Sequence, residues 1–171
     1  MVEWSLDVLR EVCDRVVVAV PPDRADPPDL VAGGATRTES VRNALDAAPE
    51  ASVVVVHDAA RPLVTVDLVR RCLDALDGCD GVIAAVPVTD TVKEVEEGTI
   101  VRTPDRARLW AAQTPQVFRA EALRHAAGEA TDDASLVEAM GGRVRVVEGT
   151  RENFKVTTPL DARVAEMLLA D

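Results

Sequence analysis

The sequence has 171 residues, enough for one domain with a substantial hydrophobic core. Its formal net charge of −11 disfavours nucleic acid or an anionic membrane surface as a partner, but permits a small anionic ligand where cations are concentrated. The sequence shows no long apolar stretch and no signal-peptide pattern, so we expect neither a membrane span nor a secretory signal. Cys13, Cys72 and Cys79 form no CxxC pair, which indicates the free thiols of a cytoplasmic protein.

Apolar periodicity predicts alternating helices and strands along the chain. The predicted helices cover residues 3–13, about 38 onward, 67–76, about 119–127, about 132–140 and 159–170. The predicted strands cover residues 15–20, 52–57, 81–88, 109–118, 143–149 and 153–157. The proline- and aspartate-rich stretch 21–30 predicts a surface loop. This alternation favours a single α/β domain, 1–171, with a doubly wound, mostly parallel sheet.

The four consecutive valines 53–56 predict a strand buried on both faces. His57, Asp58 and Arg61 follow directly, so this strand ends in polar and charged side chains. In an open parallel sheet, ligands bind beyond the carboxyl ends of the strands. Further polar groups fall at predicted strand ends or on the last strand, namely Gly33-Gly34, Thr89-Asp90-Thr91, Thr114 and Lys155. Together they predict one site on one rim of the sheet.

Each candidate residue also has a purely structural interpretation. Gly33-Gly34 forms a turn, or lets backbone amides approach a base or phosphate. Ser40 lies in the first turn of a helix, or hydrogen-bonds a nucleobase. Asp58 caps a turn, or binds a divalent metal or a sugar hydroxyl. Arg61 forms a surface ion pair, or binds phosphate through two donors, whereas His57 is interpreted as structural.

Residues 90–103 interrupt the α/β pattern with two alternating runs around Glu97-Gly98, which predicts an antiparallel hairpin. Its apolar residues have no obvious helix to cover them. We therefore expect a projecting arm that packs on a second subunit. The alternative is an edge hairpin that lies on its own sheet.

Six stretches in this order resemble the 2-C-methyl-D-erythritol 4-phosphate cytidylyltransferase family of isoprenoid synthesis. They are GGATRTESVRNAL, VHDAARPLVT, VPVTDTVKEV, LWAAQTPQVF, TDDASLVEAMGG and ENFKVTTPLD. The resemblance covers essentially the whole chain. It implies a Rossmann-like fold and cytidylyl transfer from CTP to methylerythritol phosphate, with release of pyrophosphate. It also implies a divalent metal, usually Mg²⁺, and a homodimer in which the β-arm of each subunit packs on the other subunit.

The resemblance also implies roles for individual residues. It places Gly34, Ala35 and Ser40 against the cytosine, and Asp58 and Ala59 beside the ribose, the metal and the substrate. The residues implied to hold methylerythritol phosphate are Arg61, Thr91, Arg106 and Thr114, with the hairpin-side groups coming from the partner subunit. Lys155 would position the attacking phosphate, and Arg106 and Lys155 would supply catalytic positive charge. Lys155 and Lys93 are the only lysines of the chain.

The chain departs from the family pattern at its start. The family opens with a strand and a glycine-rich loop of the type AAGxGxRMG, followed by Pro-Lys, whereas Met1-Val2-Glu3-Trp4 matches the helix after that segment. We therefore expect an N-terminally truncated chain or an internal Met1. We also expect unpaired backbone groups where a central strand is missing, and impaired nucleotide binding if the chain is complete.

Two other functions fit the same motifs. One is cytidylyl transfer to ribitol 5-phosphate by a relative with the same fold. The other is a catalytically degenerate dimeric remnant that lacks the triphosphate loop. The TPQ context and HDAARP favour methylerythritol phosphate as the acceptor.

Overall fold

The computed structural model describes residues 2–126, 128 and 130–170, so Met1 and the predicted helical residue 127 lie outside the described residues. The helices are α1 (Val2–Val12), α2 (Arg37–Asp46), α3 (Val66–Asp74), α4 (Ala120–His125), α5 (Asp133–Ala139) and α6 (Pro159–Ala170). The strands are β1 (Val18–Val20), β2 (Leu30–Ala32), β3 (Val53–Val56), β4 (Gly81–Pro87), β5 (Glu94–Glu96), β6 (Thr99–Arg102), β7 (Trp110–Arg119) and β8 (Val144–Glu148). Short 3₁₀ turns lie at Pro22–Arg24 and Arg106–Arg108.

The main sheet has four strands in the order β3-β7-β4-β8. Strands β4 and β8 are parallel, whereas β7 runs antiparallel to both of its neighbours, β3 and β4. Strands β3, β4 and β8 therefore share one direction, and their carboxyl ends meet at one rim. This arrangement confirms the α/β prediction, with β7 as the reversed strand.

Helices cover both faces of this sheet. Because successive strand residues point to opposite sides, each face contributes its own side chains to a core cluster. Ile83 and Phe118 belong to a core cluster on one face, with residues of α2, α4 and α5. The adjacent Val82 and Val117 belong to a second cluster that includes side chains of α3. Gly81 lies opposite Phe118, and a Cβ there would sit 2.6 Å from Cδ1 of that ring, so this packing requires glycine.

Strand β3 is less buried than the sequence predicts. Val53 is exposed and the other three valines are only partly buried, which makes the expectation of burial on both faces wrong. The reason is that β3 is an edge strand, since β1 and β2 form a separate two-stranded parallel sheet. A groove of about 630 Å³ is lined by residues of α1, β1, α2 and β3. Among the described residues, β1 pairs only with β2, and β3 pairs only with β7.

Two further expectations need correction. Residues 153–157 form no strand in the structure; they run between β8 and α6. One backbone hydrogen bond, from the Val156 amide to the Ala60 carbonyl at 2.7 Å, holds this segment against the loop after β3. Conversely, β2 lies at the end of the stretch that composition assigns to a loop. A three-residue strand next to prolines carries too little periodicity to be recognised.

The predicted hairpin is confirmed as the pair β5-β6. Glu97 (φ 47°) and Gly98 (φ 81°) form its turn, and two successive positive φ angles are typical of tight hairpin turns. Its cross-strand pair Val95 and Ile100 is more than half exposed, at 53% and 58%. The hairpin forms a two-stranded sheet of its own. None of the described helices combines the length and apolar character needed to cross a bilayer.

Candidate functional site

The carboxylate of Asp58, two residues beyond β3, is the centre of the candidate site. Its Oδ2 accepts a hydrogen bond from Nζ of Lys155 at 2.9 Å, and its Oδ1 accepts one from Nε of Arg37 at 3.2 Å. Nε of Arg61 lies 3.9 Å from Oδ2. Burial alone would raise the pKa of Asp58, but the hydrogen bond from Lys155 and the charge of Arg37 hold it below its ordinary value. Asp58 is thus an anion surrounded by three cations.

Arg37 connects this carboxylate with a second, more deeply buried one. Its Nη1 donates to Oδ2 of Asp133 at 2.7 Å, and the Asp133 side chain is only 1% exposed. Burial raises the pKa of Asp133, and the ion pair with Arg37 partly offsets that rise. Arg37 is itself partly buried, yet its two ion pairs raise its pKa against the effect of burial. The guanidinium therefore bridges two carboxylates that come from distant parts of the chain.

Arg61 is held at the site by backbone carbonyls. Its Nη1 donates to the Asn153 carbonyl at 2.8 Å, and its side chain is 11% exposed. Nε of Arg61 is buried without a hydrogen-bond partner among the described residues. Burial lowers the pKa of Arg61. The side chain is thus fixed in position, with donor capacity left on its guanidinium.

A chain of hydrogen bonds with defined direction orders the loop that carries Asp58. Nε2 of His57 lies 3.1 Å from the Arg61 carbonyl, which can only accept, so the proton is on Nε2. Burial lowers the pKa of His57 to about 4, so the ring is neutral near pH 7. Nδ1 of the neutral ring is an acceptor, and the Thr114 hydroxyl donates to it at 3.0 Å. The same hydroxyl accepts from the Asp58 amide at 3.1 Å.

The glycine turn before α2 is held by the first turn of that helix. The Gly34 amide donates to Oγ of Ser40 at 3.0 Å, and the Ala35 amide donates to Oε2 of Glu39 at 2.6 Å. Thr36 and Glu39 form a capping box. A Cβ on Gly34 would collide with the side chain of Glu39. In this structure the two amides are therefore satisfied within the chain, rather than left free for a ligand.

Several predicted residues meet around Asp58, and others form a separate group. Lys155, Arg61 and Thr114 all contact Asp58 or its loop. Ala59 lines the groove beside β3, as do Ser40 and Asp58. Arg106 instead donates to the carbonyl of Thr89 at 2.7 Å, and Thr89 precedes Thr91 by two residues at the base of the hairpin. No hydrogen bond or ion pair among the described residues links this second group to Asp58.

Two of these residues belong to other structural elements than the sequence predicts. Thr114 is 3% exposed and lies inside β7, not at the carboxyl end of a strand. It lies near the rim because β7 is antiparallel to β3 and extends past the last pair, Val56 with Gln116, so that Thr114 lies beyond the end of β3. Lys155 belongs to the segment between β8 and α6, not to a strand.

Sequence reasoning missed the roles of Arg37 and Asp133. Arg37 lies at the first position of α2 and Asp133 at the first position of α5, 96 residues later. Helix starts are detectable from the Thr36–Glu39 capping pattern and from Asp132, which accepts from the Ser135 amide. Nothing in a single sequence shows that these two helix starts meet.

Asp58 fits a divalent cation only as a single protein ligand. No group of three or more His, Cys, Asp and Glu side chains in the described part of the chain is arranged to hold a metal ion. Mg²⁺ is commonly bound by one or two carboxylates together with substrate phosphates and water. Each Asp58 oxygen has one cationic group within hydrogen-bonding distance, Arg37 at Oδ1 and Lys155 at Oδ2, so each keeps further acceptor capacity.

The fold and this cationic rim define an α/β protein suited to phosphate-bearing ligands at the carboxyl edge of its sheet. The profile of the family "IspD: 2-C-methyl-D-erythritol 4-phosphate cytidylyltransferase" matches residues 1–171. The chain therefore belongs to the 2-C-methyl-D-erythritol 4-phosphate cytidylyltransferase family, whose members are nucleotidyltransferases.

Individual relatives agree with this assignment. A Nostoc punctiforme protein with the family name is 52% identical over 84% of this chain and 67% of its own length. A Prochlorococcus marinus protein of the same name is 45% identical over 98% of this chain and 84% of its own length. The crystal structure of the Thermus thermophilus enzyme is 39% identical and covers 99% of this chain and 88% of that one, with a TM-score of 0.87.

The buried, neutral His57 predicts a pH-dependent stability. Its pKa is about 4 in the folded chain against an ordinary 6.5, so between these values the unfolded chain binds a proton that the folded chain does not. The free energy of unfolding should therefore fall, by on the order of 3 kcal/mol, as pH drops from 6.5 to 4. Urea titrations across this range measure the slope. His57→Gln should flatten it, whereas His125→Gln, at the exposed histidine, should not; equal slopes in both variants would contradict the prediction.

Proposed function

We propose that this chain transfers the cytidylyl group of CTP to 2-C-methyl-D-erythritol 4-phosphate, giving CDP-methylerythritol and pyrophosphate. Family membership supports the reaction. The observation that carries it is the convergence of Arg37, Arg61 and Lys155 on Asp58 within a chain of net charge −11. We further propose a cytoplasmic location. The free thiols of Cys13, Cys72 and Cys79 support it, because thiols stay reduced in the cytoplasm.

The reaction joins two anionic molecules. A phosphate oxygen of the sugar phosphate attacks the α-phosphate of CTP, and pyrophosphate leaves. Such phosphoryl chemistry needs little covalent help from the protein, so positioning and compensation of negative charge provide the catalysis. Lys155 is 45% exposed and can reach an attacking phosphate from its place beside Asp58. Arg61, more deeply buried, provides a fixed positive charge in the same loop.

The turn before α2 is proposed to hold the cytosine. Because the Gly34 and Ala35 amides donate within the chain, the acceptors left for a base are the carbonyl oxygens of these residues. Neither carbonyl receives a hydrogen bond from the described residues. Cytosine carries an exocyclic amino donor where uracil carries a carbonyl, so such acceptors favour CTP over UTP. Ser40 keeps acceptor capacity on the same side.

Asp58 would hold the divalent cation, which we propose is Mg²⁺. When bound, the metal would compensate charge on the CTP phosphates. The chain supplies one carboxylate for it, with Lys155 and Arg37 keeping that carboxylate ionised. Ala59, exposed next to Asp58, leaves space for the ribose.

The hairpin is proposed to be the arm of a homodimer. Val95 and Ile100 expose apolar surface on a pair of strands that makes a sheet of its own. Arg106 and Thr91 lie at the base of this arm, separate from Asp58 within the chain. A second copy would bring its own Arg106 and Thr91 to the phosphate of methylerythritol phosphate. The exposed and cationic Arg106 suits this role.

A direct assay tests the activity. With CTP, Mg²⁺ and methylerythritol phosphate, the chain should release pyrophosphate, detected by a coupled phosphate assay. The rate with ribitol 5-phosphate as acceptor, or with UTP as donor, should be lower. Equal or greater turnover of ribitol 5-phosphate would contradict the proposed acceptor, and no turnover with any pair would contradict the proposed activity.

Lys155→Ala should lower kcat by roughly 100- to 1,000-fold, the usual effect of removing one charge-stabilising donor. The unfolding free energy should change by no more than about 1 kcal/mol, because Lys155 is half exposed and Arg37 still pairs with Asp58. Steady-state kinetics and urea unfolding measure the two effects. Arg163→Ala, which removes one positive charge from the exposed surface of α6, serves as the control. Near-normal turnover of Lys155→Ala would remove Lys155 from the mechanism.

Ile100→Glu should convert the dimer into monomers, because it places a charge in the apolar face of the arm. Light scattering coupled to size exclusion measures the mass. Met167→Glu, at a 70% exposed position on α6, gives the matched charge change outside the arm and should remain dimeric. If Ile100→Glu has the same mass as Met167→Glu, the arm is not the dimer contact.

A further inference from the structure

We propose that Asp133 and Arg37 are positioning residues that fix the orientation of Asp58 and, through it, of Lys155. This inference rests on the proposed function for its kinetic consequence, but its geometry stands apart from that function. Neither residue carries a role in the motif-based assignment of the site. Both act through Asp58, which is the group nearer to the substrates.

The four side chains form a line of alternating charge from the interior to the surface. Asp133 accepts from Arg37 at 2.7 Å, Arg37 donates to Asp58 at 3.2 Å, and Asp58 accepts from Lys155 at 2.9 Å. The exposed fractions of the side chains, in this order, are 1%, 29%, 15% and 45%. The inner end is therefore shielded from solvent, and the outer end is free to meet a ligand.

The inner end of this line is anchored in the sheet. The Asp133 amide donates to Oε1 of Gln116 at 3.2 Å, and Gln116 is 2% exposed on β7. The following residue, Ala134, belongs to the core cluster around Phe118. Asp133 has little freedom to move, since both its backbone and its neighbours are fixed. Its carboxylate thus provides Arg37 with an immobile acceptor.

The guanidinium transmits this orientation because it is planar and carries donors in a fixed fork. One side of the fork, Nη1, is held by Asp133, so the direction of Nε towards Asp58 is determined. Asp58 is then held at Oδ1 by Arg37, which leaves Oδ2 directed at Lys155. Without Asp133, Arg37 could turn to face Asp58 with two donors or leave it for solvent. Lys155 would then lose an acceptor of fixed position.

A role in stability alone explains the buried ion pair of Asp133 and Arg37 less well than a positioning role does. Burial of an ionised carboxylate costs free energy that its ion pair only partly recovers, and apolar replacements of such pairs are often neutral or stabilising. The ion pair of Asp133 with Arg37 instead fixes the orientation of the Asp58 carboxylate. Displacement of reacting groups by about 1 Å costs up to about 100-fold in rate. The effect should therefore appear in kcat, while the glycine turn that is proposed to hold CTP keeps its own contacts.

The kinetic test uses Asp133→Asn in the full chain. We expect kcat to fall by about 10- to 100-fold with the KM for CTP changed by less than about threefold. The matched control is Glu138→Gln, which removes one carboxylate from the exposed side of the same helix, away from Arg37 and Gln116. Kinetic constants of Asp133→Asn equal to those of Glu138→Gln, or a rise in KM with kcat unchanged, would overturn the proposal.

Arg37→Lys provides a second variant should Asp133→Asn fail to fold. A lysine keeps the positive charge but cannot bridge two carboxylates with a planar fork. It should show the same loss of kcat; wild-type kcat in a folded Arg37→Lys variant would overturn the proposal.

A spectroscopic test needs no turnover. In the ligand-free protein, ¹⁵N spectra should show slowed hydrogen exchange of the Lys155 ammonium, which should be lost in Asp133→Asn and kept in Glu138→Gln. Identical exchange in all three proteins would refute positioning even if the enzyme is active. Absence of pyrophosphate release from the wild type would refute the proposed function instead, and would leave the exchange result to decide the role of Asp133.

Discussion

The candidate site depends on one half-buried carboxylate, that of Asp58, because it allows several cations to stay close together. Arg37, Arg61 and Lys155 would repel one another if the anion between them were removed. With it, the ligand-free chain holds a preformed concentration of positive charge at the rim of the sheet. This matters in a chain of net charge −11, whose general surface repels anions. A phosphate that arrives at the rim meets cations that are already in place.

The reversed strand β7 supports this carboxylate from two points. Thr114 and Gln116 are two residues apart on that strand. Thr114 binds the Asp58 amide and His57, so it orders the loop after β3. Gln116 binds the Asp133 amide, so it holds the buried end of the charged line. An antiparallel strand in the middle of the sheet thus stabilises both the backbone and the side chain of the same residue.

Much of this architecture follows from local sequence patterns. The parts that could not be predicted in this way depend on long-range contacts. The valine run and the Glu97-Gly98 turn carry strong local signals, so the α/β class and the hairpin were predicted correctly. Asp58 was predicted to follow the end of a strand, and it does. Residues 153–157 alternate like a strand, yet the site needs them as a loop that returns to Ala60. The pairing of Arg37 with Asp133 spans 96 residues and has no local signature. Motif resemblance selected Asp58, Arg61 and Lys155 as candidate site residues, whereas the ion pairs of Arg37 with Asp58 and Asp133 are visible only in the structure.

The net charge of −11 affects how copies of this chain behave at high concentration. Near neutral pH, molecules of this charge repel one another, which opposes contact between apolar surface patches. This repulsion weakens towards the isoelectric point of about 4.6. The exposed apolar pair of the hairpin, Val95 and Ile100, then meets other molecules with less electrostatic opposition.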